Sequence, residues 1–158
     1  MKNIRLVLLG EIVLLVLVFC LLLVFCDGGL YGVTNYWDIP SILIMVIIMI
    51  PGMMIMGTWK DFKKSFSVGI KEYSLLELKN IVAAVDVAQK LAVFAAIFAI
   101  IITSVVILKN IDYISTLGPN FAVCFLSALY AVIIEFLLLP LRLNAQRKMN
   151  EEMDFEEE

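Results

Sequence analysis

Two carboxylates, Glu11 and Glu135, lie inside apolar stretches long enough to cross a bilayer. Hydrocarbon tolerates a carboxylate only where it has a partner, a water-lined cavity or a route to the interface. An ionisable residue in such a stretch therefore points to ion handling. Counted from the end flanked by basic residues, Glu11 is about 8 Å deep and Glu135 about 6 Å deep at the helical rise. At that depth either can reach toward water or pair with Arg5 or Arg142 near the interface. A sharper reading places Glu135 at the cytoplasmic exit of an ion path, where it attracts cations.

Other chemistries find little material. The 158 residues contain no His, which removes imidazole as general base, haem ligand or zinc ligand. Cys20, Cys26 and Cys124 fall in or at the ends of apolar stretches without metal-binding spacing, and read as buried apolar side chains. Neither a nucleophile elbow nor a metal cluster is present, so no enzyme activity and no cofactor are expected. No basic surface suited to nucleic acid exists either. The composition is 63% hydrophobic and 17% charged, with mean hydropathy +1.01. Soluble domains sit near roughly 45–50% apolar and 25% charged. This is the composition of an integral membrane protein.

Four segments are long enough to carry these residues across a bilayer, since about 20 helical residues cross the hydrocarbon core. They are Leu6–Cys26, Ile39–Thr58, Leu91–Leu108 and Phe121–Leu139. The first exceeds a signal-peptide core in length and is expected to remain as an anchor. Pro40 suits the opening turn of the second, Pro51-Gly52 is expected to kink it, and Pro140 is expected to close the fourth. Every Lys and Arg except Lys109 falls before the first span, between the second and third, or after the fourth. That alternation puts both termini and the central connection in the cytoplasm.

The connection 59–90 has its own organisation. Trp59-Lys60-Asp61-Phe62-Lys63-Lys64 is basic and aromatic, suited to anionic headgroups. Ser74-Leu75-Leu76-Glu77 reads as a capping box, and Leu75, Leu78, Val82 and Val85 recur at helical spacing behind it. The expectation is a short amphipathic cytoplasmic helix running directly into the third span. The cytoplasmic tail 141–158 turns from basic, which stops transfer, to acidic, and its acidic end is expected to be a solvated extension without fixed structure. The fold class is therefore an all-α membrane protein: four transmembrane helices and one short amphipathic helix, with both ends inside, as a single domain over 1–158.

Two stretches add a further expectation. Tyr36-Trp37-Asp38-Ile39-Pro40-Ser41 leads into the second span. Leu117-Gly118-Pro119 reads as a turn leading through Ala122-Val123 and Ser127-Ala128-Leu129-Tyr130 to Leu138-Leu139-Pro140. With the four-span layout they resemble the MotA/TolQ/ExbB family, the pore-forming subunits of ion-driven motors in the bacterial cytoplasmic (inner) membrane. The resemblance implies a homopentamer around a single-span partner of the MotB/TolR/ExbD type, whose aspartate takes up a proton or sodium ion. It also implies an ion path lined by small and hydroxylated residues of the last two spans, with the first span peripheral. Matched onto this chain, that path holds Thr103, Ser104 and Ser127, with Glu135 below.

The chain departs from the family pattern at several positions. The family's Gly-Thr pair falls at Ala99-Ile100, and Thr103 and Ser104 lie three and four residues on, near the same helical face. Ala128 and Ala131 replace a threonine and a glycine of the fourth span. The large cytoplasmic domain of flagellar stator subunits is replaced by the short connection. Two alternatives stand beside the motor subunit: a small four-span transporter using Glu11, and a pentameric membrane scaffold that does not conduct.

Overall fold

The computed structural model describes residues 4–26, 36–68, 70–109 and 114–157. The side chains of Arg5, Cys26, Glu156 and Glu157, together with Asn110, Asp112 and Glu158, lie outside the described residues. Among the described residues the structure is all-helical: α1 Ile4–Cys26, α2 Ile39–Ile55, α3 Trp59–Ser65, α4 Leu75–Lys109 and α5 Ile114–Glu157. Two helices are long and apolar enough to cross a membrane, or three if α2 and α3 are taken as one bent span; α1 carries a shorter apolar stretch, Leu6–Leu21. Leucine, isoleucine, valine and phenylalanine side chains stand exposed along α1, α2, α4 and α5. Such continuous apolar surface is what lipid or another protein covers.

Local sequence explains both ends of α2. Asp38 caps α2, its carboxylate accepting from Ser41 N–H at 3.2 Å, and Pro40 occupies the first turn, where a missing N–H costs nothing. The helix runs through Pro51 unbroken and ends at Ile55, capped by Met56 with Gly57 just beyond. There Gly57 N–H donates to Met54 O, and Thr58 N–H to Met53 O. This double closure requires a left-handed residue, and Gly57 supplies it at φ +73°. The chain then turns through 108° into α3. The second span thus ends earlier than Thr58, and its turn is made by Gly57.

The capping box forms as expected. Ser74 N–H donates to Glu77 Oε2 at 3.2 Å, and Glu77 N–H donates to Ser74 Oγ at 3.4 Å. Glu77 also accepts from Lys64 at 3.2 Å, tying α3 to the start of α4. Lys64 holds the Glu77 carboxyl below its usual range, while hydrogen bonds to Asp61 and Glu77 raise Lys64. From Leu75 the helix continues without a break to Lys109, so the capped amphipathic helix and the third apolar segment are one element of 35 residues.

Three expectations about α5 are corrected. Leu117-Gly118-Pro119 is not a turn but lies within the helix, which starts at Ile114. Pro119 is the sixth residue of α5, in its second turn, and forgoes one intrahelical bond. Nor does Pro140 close the helix, and the tail is not an unstructured extension: α5 continues to Glu157 over 44 residues. Leu138, Leu141 and Ala145 are buried, with Met149 partly buried behind them, so the helical stripe passes straight through the proline. Its burial against α4 offsets the lost hydrogen bond, since an interior proline costs about 3 kcal/mol and each fully buried aliphatic side chain contributes roughly 1.5–3 kcal/mol.

Three apolar clusters hold the helices together. Val68, Leu78, Ile81 and Ala145 join the loop after α3 to α4 and α5. Ile4, Met53, Val85, Ala88, Leu138 and Leu141 gather all four long helices at one level. Further along, Met45, Ala92, Ala95, Ala96 and Ala131 join α2, α4 and α5. On α4 the buried positions are mostly alanine, and small side chains let neighbouring backbones approach closely.

Candidate functional site

An open groove of about 570 Å³ runs between α4 and α5. Asp86, Gln89, Val93 and Ile97 reach it from α4 at three- and four-residue steps on one helical face, with Lys90 beside Gln89. Glu135 and Arg142 reach it from α5, seven residues and so about two turns apart. Gln89 Nε2 donates to Glu135 Oε2 at 2.8 Å. Arg142 Nε lies 2.7 Å from Asp86 Oδ1, with both atoms shielded from water. The contact is ionic rather than a directed hydrogen bond. One end of the groove therefore holds a neutralised ion pair and an amide-anchored carboxylate. The other is walled by Val93, Phe94 and Ile97, and Phe94 stacks on Phe98 at 6.4 Å.

The partner expected for Glu135 is corrected: Arg142 is taken by Asp86, and Gln89 serves Glu135 instead. Gln89 was missed in the sequence because an uncharged amide gives no alarm in an apolar approach. Its spacing to Asp86 and Val93 nevertheless marks the stripe.

The hydroxyls fall in two places. Thr103 Oγ1 donates to Ala99 O at 2.8 Å, and Ser104 Oγ to Ile100 O at 2.7 Å. Both are half-buried on α4. Donating the proton backward leaves their oxygen lone pairs available to a cation. Ser127 is fully buried between α5 and α2. It donates to Val123 O at 3.0 Å and stands 2.9 Å from Ser41 Oγ. With its own proton committed to Val123, it accepts from Ser41. Three residues on, Tyr130 donates to Tyr36 O and accepts from Asp38 N–H, both at 2.8 Å. The stretches Tyr36–Ser41 and Ser127–Tyr130 are thus bonded to each other. Ser127 and Glu135 do not share partners: one meets α2, the other α4.

Glu11 lines a second cleft, of about 380 Å³, with Leu139, Leu143, Arg147, Lys148 and Glu151 of α5. Its Oε2 is shielded from water and has no hydrogen-bond partner among the described residues. No family model, curated protein or solved structure matches the chain.

Proposed function

We propose that this chain is the pore-forming subunit of an ion-driven motor in a bacterial inner membrane. It assembles as a pentamer and conducts protons or sodium ions with a single-span MotB/TolR/ExbD-type partner that supplies an aspartate. The observation that carries this reading is the Glu135 carboxylate, held by Gln89 in an open groove between the two longest helices. A carboxylate whose one oxygen is anchored and whose charge is not cancelled by Arg142 attracts cations to that end of the helix pair. Half-buried Thr103 and Ser104 supply the oxygens a partly dehydrated ion needs further along α4. Ser127 shares in such a path only if the α2–α5 contact opens.

Ion uptake into proteoliposomes containing the chain and its co-expressed partner tests the assignment. Glu135→Gln should lower partner-dependent flux by roughly three- to tenfold, the loss expected when one steering charge is removed. Joint replacement of Thr103 by Val and Ser104 by Ala should lower it further. Unchanged flux in the triple variant rejects the ion path. A second reading, the non-conducting pentameric scaffold, draws on the commitment of Ser127 to Ser41. It predicts no partner-dependent flux in the unaltered protein.

Four spans with both ends inside complete the proposal, with α1, α2, the far half of α4 and the near half of α5 crossing the bilayer. Single cysteines at Gly32 and Ser115, in a background without Cys20, Cys26 and Cys124, should react with an impermeant maleimide in intact cells. A cysteine at Ser67 should react only after permeabilisation. Labelling of Ser67 alone in intact cells would reverse the orientation.

A further inference from the structure

The cleft between α1 and the second half of α5 combines features that no apolar packing seam needs. Glu11 Oε2 is shielded from water and meets no donor among the described residues, a costly arrangement for a carboxylate. Arg147 and Lys148 line the same cleft, but Lys148 is engaged by Glu151 at 3.4 Å. Asn144 is also occupied, donating to Val68 O at 3.0 Å. Among the described residues, one cation, Arg147, and one anion, Glu11, are left facing the cleft. Its remaining wall is apolar, and Leu139 and Leu143 are exposed at 42% and 44%.

We propose that this cleft binds a zwitterionic phospholipid with a primary ammonium headgroup, a phosphatidylethanolamine. Arg147 takes the phosphate, the ammonium turns inward to donate to Glu11, and the acyl chains lie on Val7, Leu139 and Leu143. The charge pattern selects this class. An anionic lipid would satisfy Arg147 but be repelled by Glu11 and leave its buried oxygen unmet. A choline headgroup carries the right charges but no N–H to donate. A bare metal cation would meet Arg147 and find no set of oxygens around Glu11. The proposal rests on the membrane location of α1 and α5 and is independent of ion conduction.

The test uses the full chain, delipidated in detergent and titrated with phosphatidylethanolamine, phosphatidylcholine and phosphatidylglycerol of matched chains, with bound lipid read by native mass spectrometry. Phosphatidylethanolamine should bind about tenfold tighter than phosphatidylcholine, the factor one charge-assisted hydrogen bond contributes. Glu11→Gln should bring the two lipids to equal affinity, and Arg147→Gln should weaken both alike. Glycerophosphoethanolamine, which lacks acyl chains, should not compete at the lipid's concentration. Equal binding of the two zwitterionic lipids, or tighter binding of phosphatidylglycerol, overturns the proposal on the unaltered protein alone. Persistence of the preference in Glu11→Gln removes Glu11 from the site, and competition by the soluble headgroup removes the lipid.

Discussion

Asp86→Ala should destabilise the α4–α5 pair by about 2 kcal/mol, as read from the folded fraction against denaturing detergent. Breaking a buried ion pair costs roughly 3–5 kcal/mol because the surviving charge is left desolvated and unpaired. Here Arg142 Nε and Asp86 Oδ1 are shielded, but the two side chains remain 38% and 32% exposed, so water recovers part of the penalty. Arg142→Leu in the Asp86→Ala background should restore about 1 kcal/mol or more, since the stranded charge is gone and contacting residues couple by roughly 0.5–3 kcal/mol. Additive losses in the two single variants and the double variant would show that the pair carries no stability.

Where a local rule decides, the sequence was legible. The capping box at Ser74–Glu77 formed as its spacing demands, and the helix it opens ran on into the third apolar segment, because nothing between Leu75 and Lys109 breaks a helix. Prolines misled, because their cost is local while their compensation is tertiary. Pro140 reads as a stop until Leu138, Leu141 and Ala145 are seen buried on α4. Helix pairing was hidden for a different reason. In an apolar segment every face is hydrophobic, so hydropathy cannot separate the lipid side from the protein side, whereas residue size can.

The candidate site divides in the same way. Glu11 and Glu135 stood out because a charge in hydrocarbon is expensive, and each does line a cleft. Their surroundings did not stand out. Asp86 and Arg142 are 56 residues apart in sequence, and their meeting depends on the register of two antiparallel helices. Ser41 and Ser127 met through the same dependence on register, together with the capped start of α2.

Residue size gives the largest expected effect. Ala84, Ala88, Ala92, Ala95 and Ala99 follow one another at three- and four-residue steps on α4, and all are buried. Ala92 has no exposed surface and packs within a cluster shared by Met45 of α2 and Ala131 of α5. Leucine there adds three carbons where two helices already touch the third. Overpacking a filled core costs about 1–3 kcal/mol, and two interfaces must part here, so Ala92→Leu should lie at or above about 3 kcal/mol. Ala83 is the matched control, on the same helix but exposed. Since leucine and alanine differ little in helix propensity, Ala83→Leu should stay within about 0.5 kcal/mol. Detergent denaturation of both variants reads the difference directly. Equal effects at the two positions would mean that α4 does not present its alanine stripe to α2 and α5, and the arrangement of the helices would have to be redrawn.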